Sequence, residues 1–354
     1  MGKNILDFSK FTFTAEQIRD INELVFDELL HAPDINYLHT LHTGIVYDRE
    51  IGFITGGGLV GKKGQGCDPT PQEFTIGTRK VVWQPKTWEV FIAECAKDLE
   101  ATAAVYVMNN GVRMDDLTDT DYMAIVVKVL SEAVHDFIFR IIWLGDEDAE
   151  NVSSSGIITN GVDTEYFDLI DGFFKQLEAA VTADSNLLVN IAANTQTTKA
   201  EQLDGLTPEG AYKLLSDMYY KAPIVMRGSG NMRFLVTQSI ADKYQQYLTD
   251  KGLESTYKNM VDGVNSLSVL GVEVIAVPKW DEMIQAFNDL GTTFYKPHRA
   301  VLIEKANLAV GVPADEVLEE IDVWYDKTSR KNYLEAKDKI DAKLLNPARL
   351  VYAQ

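Results

Sequence analysis

The sequence predicts an α+β fold, and three features of the chain support this prediction. Residues 44–89 contain nine glycines between two strand-like flanks. Residues 118–144 show the repeat of a long amphipathic helix, and residues 321–344 alternate between apolar and charged side chains as β-strands do. The main elements expected are therefore a projecting hairpin, a long helix and an antiparallel sheet.

The glycine-rich segment is expected to project from the fold as a hairpin. Glycine loses more backbone entropy on folding than any other residue and brings no side chain to a core. A connection longer than about 15 residues inside a compact domain is usually functional or disordered. The flanks of the segment, residues 44–48 and 81–83, have the composition of paired strands. We therefore interpret it as a long hairpin whose partner is another protein.

The long helix is expected to have one charged face and one apolar face. Four charged residues follow each other at intervals of four, which places them along one side of an α-helix: Lys128, Glu132, Asp136 and Arg140. The opposite side is apolar and is expected to be buried, with Val126, Val129, Leu130, Ala133, Phe137, Ile141 and Leu144. Thr118 or Thr120 can cap the first turn, and Gly145 can end the helix. The charges exclude a membrane-spanning helix.

Shorter elements follow from capping residues and apolar runs. Thr14 and Gln17 form a capping box that begins a helix ending before Pro33. Further helices are expected at residues 163–180, from Thr207 onward, and at 239–251 before Gly252. Buried strands are expected at residues 232–237 and 271–278. A surface loop is expected at residues 184–206.

The C-terminal region has the clearest strand pattern. From Leu334 to Leu344 the even positions are apolar except Asp338, and the odd positions are charged. Residues 327–330 form the turn that joins this strand to an earlier one beginning at Ile321. The charged face is expected in solvent or against another subunit. Residues 301–304 and 308–311 are expected to add two strands to the same sheet, beside the long helix.

The composition excludes several classes of protein. The formal net charge of −20 argues against a sequence-independent nucleic-acid binder, because phosphate attraction needs clustered Lys and Arg. With only Cys67 and Cys95, neither a disulfide framework nor a thiolate metal cluster is expected. No secretory signal is visible at the start of the chain.

The motifs that resemble catalytic or binding sites are each incomplete. Residues 56–63 nearly match a phosphate-binding loop, but Lys63 stands where Ser or Thr would hold magnesium, and no helix signature follows. His39 and His42 lack further metal ligands nearby and are expected to be solvated or interface histidines. The acidic run 146–150 lacks the spacing of a calcium loop and is interpreted as a solvated turn. No catalytic, cofactor-binding or metal-binding residue is therefore expected.

The order of these elements resembles a known family. The most suggestive segments are residues 296–303, 307–312, 321–326 and 343–347, the last ending the hairpin at Asn346 and Pro347. Together with the hairpin and the long helix, they resemble the major capsid proteins of tailed bacteriophages, which have the Hong Kong 97-type fold. The sequence is similar to those of phages and prophages of gut anaerobes.

The resemblance implies a domain organisation and a set of contact residues. The implied parts are an N-terminal arm (1–43), an extended β-hairpin loop (44–85), a peripheral domain with the long spine helix and an antiparallel sheet (86–145 and 299–345), and a mixed α/β axial domain (146–298 and 346–354). The loop residues implied in contacts between subunits are Phe53, Leu59, Lys62, Lys63, Phe74, Arg79 and Trp83.

The resemblance also implies a function. The subunit would self-assemble into pentamers and hexamers of an icosahedral shell, assembled in the host cytoplasm and present in the virion. Its partners would be other copies, a separate scaffold protein or none, portal and decoration proteins, and packaged double-stranded DNA that is enclosed but weakly contacted. Lys62 or Lys63 is a candidate for a covalent cross-link, although non-covalent contacts are favoured. Two alternatives stay open: the shell of an encapsulin-like bacterial compartment and, third, a nucleotide-binding enzyme.

Overall fold

The structure of the protein is a computed structural model. It describes residues 35–57, 75–95, 121–253, 258–261, 264–313, 321–329 and 331–354. The predicted helix that begins after Thr14 lies outside these residues, as does most of the predicted N-terminal arm. The statements below concern the described residues.

The described residues contain both helices and strands. The helices are α1 (Ile35–Leu38), α2 (Asp121–Leu144), α3 (Phe173–Ala183), α4 (Lys199–Asp204), α5 (Pro208–Lys221), α6 (Ile224–Ser229), α7 (Gln238–Asp250) and α8 (Pro278–Phe287). The strands are β1 (Thr40–His42), β2 (Arg49–Gly57), β3 (Thr75–Trp83), β4 (Lys86–Cys95), β5 (Leu188–Val189), β6 (Met232–Val236), β7 (Lys258–Val261), β8 (Val264–Val269), β9 (Val272–Ala276), β10 (Ala300–Glu304), β11 (Leu308–Gly311), β12 (Asp322–Asp326), β13 (Lys331–Leu344) and β14 (Leu350–Ala353).

The strands form two larger sheets and one separate hairpin, which confirms the predicted α+β class. The seven-stranded sheet has the order β5-β14-β10-β6-β9-β8-β7, with the pairs β5/β14 and β6/β9 parallel. The five-stranded sheet has the order β1-β11-β13-β12, and β4 also pairs with β13. Strands β2 and β3 pair only with each other.

Strand β13 organises the five-stranded sheet. Its 14 residues pair with β4 and β12 over the first part and with β11 over the last four residues. The predicted alternation is confirmed, because Leu334, Ala336, Ile340, Ala342 and Leu344 are all buried. Asp341 was expected on the charged outer face and is instead buried. It accepts a hydrogen bond from the Gln84 amide (2.7 Å), and burial raises its pKa.

One predicted strand belongs to a different sheet. Residues 301–304 were expected beside β11 in the sheet that flanks the long helix. Strand β10 instead pairs with β6 and β14 in the seven-stranded sheet. Apart from Arg233 and Glu304, the residues of these three strands are apolar, and nearly all of them are buried. Continuous burial of this kind suits the middle of a sheet that is covered on both faces. The short turn at residues 305–307 carries the chain from one sheet to the other.

Helix α2 is as long as predicted but more fully covered. It ends at Leu144 because the next residue must approach other backbone closely: a Cβ atom on Gly145 would lie 2.4 Å from the carbonyl oxygens of Ile141 and Ile170. The charged face is covered by other parts of the chain in its second half. Asp136 forms an ion pair with the buried Lys279 (2.7 Å), and the Arg140 guanidinium lies among three aromatic rings, those of Phe137, Phe167 and Phe287. None of the helices in the described ranges has the length and apolar character needed to cross a membrane.

Trp143, near the end of α2, lies at the centre of the main core. Its ring centroid is 4.4 Å from that of Trp280. The ring centroids of Phe173 and Phe174 are 5.2 and 5.1 Å away. The same core includes residues from β10, β11, β13 and β14. The long helix therefore packs between the two larger sheets, and a second cluster under α5 and α7 completes the other side of the seven-stranded sheet.

The remaining sequence predictions differ mostly at element boundaries. Helix α3 begins at Phe173 and not near residue 163, because Asp163 caps only the short turn Thr164–Tyr166. The helix from Thr207 is confirmed, and the Thr207 hydroxyl accepts the Gly210 amide (3.1 Å). The predicted helix before Gly252 and the two buried strands around it are confirmed as α7, β6 and β9. Residues 184–206 contain β5 and α4 in addition to loop.

Helix α7 is capped by a carboxylate from another helix. Asp281 of α8 accepts the amides of Gln238 (2.6 Å) and Ser239 (3.4 Å), while Ser239 also bonds the buried His298 ring (2.7 Å). Burial raises the pKa of Asp281 to about 6, and the amide hydrogen bonds only partly oppose this effect. The folded protein therefore binds a proton at Asp281 more readily than the unfolded chain does.

This linkage predicts a pH-dependent effect of Asp281→Asn. In the parent chain, Asp281 contributes stability below about pH 4, and this contribution is lost as the pH rises through about 6. The neutral asparagine does not titrate, so raising the pH from about 4 to 7.5 should shift the difference in unfolding free energy in favour of the variant, by at most about 3 kcal/mol. Chemical denaturation across this range checks the result. If the unfolding free energies of parent and variant changed with pH in the same way, this prediction would be contradicted.

Candidate functional site

The hairpin of β2 and β3 is anchored at its base by Trp83. The Trp83 side chain is buried in a small cluster with Ile45 and Ala309. Its ring faces Gly311, where a Cβ atom would lie 2.8 Å from the ring carbons, so a side chain at this position would displace the indole. Trp83 was expected to contact a neighbouring subunit. The structure places its ring inside its own chain, where it holds the hairpin to the five-stranded sheet.

One face of the hairpin exposes aliphatic side chains. The strands pair in register from Arg49 opposite Trp83 to Gly57 opposite Thr75. On this face Ile54 is 78% exposed and Ile76 is 61% exposed, and Val82 is exposed nearer the base. Lys80 and Glu50 form an ion pair at 2.6 Å on the same face, but both side chains are mostly in water. Exposed pairs of this kind contribute little to stability.

The other face of the hairpin brings together two residues that the sequence had singled out. Phe53 and Arg79 are directly opposite each other in the register. The Arg79 guanidinium lies 4.5 Å from the centre of the Phe53 ring, a cation–π contact. The half-buried Ile51 and Val81 continue this face toward the base. Both faces therefore carry apolar side chains.

A two-stranded hairpin with two apolar faces is an unusual surface for a free monomer. An isolated hairpin of two strands is marginally stable in water and usually needs another layer against it. Contiguous exposed apolar side chains mark sites where proteins bind one another. The hairpin is therefore the strongest candidate for an interaction site. Four other residues expected in it, Leu59, Lys62, Lys63 and Phe74, lie outside the described residues.

A second exposed cluster was missed by the sequence analysis. Phe91 of β4, Tyr333 of β13 and Trp324 of β12 lie side by side on the outer face of the five-stranded sheet. The Tyr333 ring stacks on both neighbours, with centroids 5.4 Å from Phe91 and 5.5 Å from Trp324. Phe91 and Trp324 are exposed. The position of Phe91 beside Tyr333 depends on a pairing between distant parts of the chain, which local strand alternation does not give.

The histidine pair does not form a metal site in the described residues. His39 was expected to be solvated or at an interface, but it is buried, stacks on Phe173 and is hydrogen-bonded through Nδ1 to the Ile35 carbonyl (3.0 Å). Burial lowers its pKa to about 3, so it is neutral at physiological pH. His42 lies beside Trp83 instead. A search of the described ranges finds no group of three or more His, Cys, Asp or Glu side chains placed to hold a metal ion.

The other sequence motifs have simple structural roles where they are described. Gly56 and Gly57 of the near-match to a phosphate loop end strand β2, and residues 58–63 lie outside the described part of the chain. The acidic run 146–150 is only partly a solvated turn. Lys175 forms ion pairs with Asp146 (2.5 Å), Asp148 (3.2 Å) and Asp171 (2.8 Å), beside a cavity of about 280 Å³ whose wall includes Arg299 and Tyr295.

Comparison with known proteins identifies the fold. No protein-family model and no curated protein matches the sequence. Among solved structures, the mature capsid of bacteriophage PhiM1 aligns with 93% of this chain and 89% of its own, with a TM-score of 0.53 and 10% identity. A structure from Gordonia phage Cozz aligns with 93% of this chain and 88% of its own, with a TM-score of 0.52 and 13% identity. The capsid of Myoviridae phage XM1 aligns with 100% of this chain and 99% of its own, with a TM-score of 0.51 and 9% identity.

These matches span nearly the whole chain, and at such identities they establish the fold. The architecture is that of phage capsid proteins. It is the Hong Kong 97-type fold, as the resemblance noted from the sequence had implied, with the hairpin, the long helix and the two sheets in the expected order.

Proposed function

We propose that the protein is the major capsid subunit of a tailed bacteriophage and assembles into pentamers and hexamers of an icosahedral shell. The observation that carries this proposal is the hairpin of β2 and β3. It is held by Trp83 at its base and exposes Ile54 and Ile76 farther out. A monomer gains nothing from this exposed apolar area, whereas a neighbouring copy can bury it.

The residue roles in this proposal follow from the geometry of the hairpin. Phe53 and Arg79 form one contact face, and Leu59, Lys62, Lys63 and Phe74 belong to the same extended loop, residues 44–85. Trp83 acts as the anchor and not as a contact. The peripheral domain (86–145 and 299–345) and the axial domain (146–298 and 346–354) are proposed as the two bodies that the loop projects from. Strand β10 pairs with β6 and β14, and the turn at residues 305–307 carries the chain from it to the five-stranded sheet.

The proposal extends to the contents and partners of the shell. The net charge of −20 makes the wall repel polyanions, which suits a container that encloses double-stranded DNA without binding it tightly. Other copies are the main partners, with scaffold, portal and decoration proteins as further ones. The mature location is the virion, after assembly in the host cytoplasm.

We expect the purified protein to form rings or closed shells. The exposed aliphatic face of the hairpin favours association, and it should do so more strongly as salt screens the repulsion between acidic subunits. Negative-stain microscopy and light scattering across protein concentration and ionic strength check this result. A species that stays monomeric under all conditions, with and without a co-expressed scaffold, would contradict the proposal.

The two alternatives predict different contents and activities. An encapsulin-like shell would assemble around a protein cargo in the absence of DNA, so the nucleic-acid and protein content of particles purified from the native host separates the two. An enzyme would turn over a nucleotide and would lose this activity in Lys62→Ala. We rank the enzyme last because Lys63 stands where Ser or Thr would hold magnesium.

A further inference from the structure

A second exposed apolar surface lies far from the hairpin in the sequence. Helices α5 and α6 meet at a corner that we define as Tyr220, Ile224, Val225 and Arg227. Ile224 is 78% exposed, Val225 is 63% exposed and Tyr220 is 62% exposed. Ile224 and Val225 are adjacent at the start of α6, immediately after Pro223. Their burial would contribute about 25 cal/mol for each Å² of apolar surface removed from water.

The corner also carries a positive charge without a partner. Among the described residues, the Arg227 side chain makes no ion pair, and its Nε atom is buried without a hydrogen-bond partner. Tyrosine and arginine beside exposed aliphatic side chains are also the residues that most often dominate binding energy at protein interfaces. The corner therefore fits an acidic partner with an apolar component.

The same chain contains a surface with this chemistry. Residues 146–171 include eight carboxylates and no lysine or arginine. Lys175 and Lys86 neutralise carboxylates at both ends of the segment. Between these ends, Asp163, Glu165 and Asp168 are exposed and form no ion pair with any described residue. The exposed ring of Tyr166 lies among them, so the segment offers an aromatic contact surrounded by negative charge.

We propose that the corner of one subunit docks on the acidic segment 146–171 of a neighbouring copy. This inference rests on the proposed function and names one contact within it. Charge complementarity favours a second copy: the chain as a whole carries −20, and the acidic segment is its densest described stretch of negative charge without internal cations. Because the corner and the segment are different surfaces, the contact is heterologous, which is the type of contact that builds closed rings when its rotation closes.

The test is a charge reversal with rescue. Arg227→Glu should raise the subunit concentration needed for half-assembly by roughly tenfold, since it replaces attraction with repulsion across the contact. Adding Glu165→Arg and Asp168→Arg to the same chain should restore assembly. Lys251→Glu makes the same change in net charge outside the corner and the acidic segment and should have little effect. Mass photometry measures the assembled fraction, and circular dichroism confirms that each variant is folded.

A second pair of substitutions tests the apolar part of the contact. Ile224→Ser with Val225→Ser should weaken assembly as well, and the two acidic-segment substitutions should not rescue it. Normal assembly of folded Arg227→Glu, or no rescue by the reversed acidic residues, would overturn the docking while leaving the shell function intact. A parent chain that never assembles would overturn both.

Discussion

Replacing Trp143 with alanine is expected to cost about 3 to 5 kcal/mol of unfolding free energy. The side chain is fully buried, with the rings of Trp280, Phe173 and Phe174 within 5.2 Å of its centroid. These large rings come from different helices and cannot all move inward, so a cavity remains. Chemical denaturation of soluble, unassembled subunit measures the loss.

Phe137→Ala on the same helix is the matched control. The sequence pattern placed Phe137 on the buried side, but the structure shows it half-buried, with its ring 6.0 Å from Trp88 and near the Arg140 guanidinium. Its loss should cost about 1 to 2 kcal/mol, in the range of ordinary substitutions. Equal losses for the two variants would show that the core is not centred on Trp143.

Shortening the hairpin is expected to abolish shell assembly while leaving the subunit folded. The sharpest change replaces residues 54–78 with Asn-Gly, because Phe53 and Arg79 are opposite each other and a two-residue turn can join them in register. The anchor at Trp83 stays intact. Loop length has a small thermodynamic effect, so the unfolding free energy should change by less than about 1 kcal/mol.

Two measurements together decide this prediction. Thermal unfolding and near-ultraviolet circular dichroism should match the parent chain, and microscopy should show no closed shells. The full-length variant Ile54→Ser with Ile76→Ser serves as a control for loop length, and it should weaken assembly without removing the hairpin. Global unfolding of the shortened chain would mean that the hairpin belongs to the core. Normal shells would mean that it is not the contact surface.

Much of the fold is predictable because local patterns decide it. The four-residue spacing of charges predicts α2, the alternation from Leu334 predicts β13, and the glycines between strand-like flanks predict the hairpin. The sheet assignment of β10 is not predictable in the same way. Residues 300–303 form an apolar run, which fits the middle of either sheet, and only the pairing with β6 and β14 decides between them.

The candidate site is less predictable because it depends on register and on burial by distant residues. Phe53 and Arg79 belong to the expected hairpin, but their contact follows from pairing across 26 positions. Trp83 has the residue type of an interface anchor, and its inward position requires the space that Gly311 leaves. The polar face of α2 likewise reads as solvent-exposed until α8 and residue Phe167 cover it.

The position of β14 has a consequence for the order of events during synthesis. Residues 350–353 lie inside the seven-stranded sheet, between β5 and β10, and β4 finds its partner only at residues 331–340. Neither sheet can be completed until these late segments have left the ribosome, and folds dominated by such long-range pairing form slowly. A nascent chain therefore displays its hairpin before either sheet is complete. In the proposed assembly, association between subunits would then follow the folding of both sheets.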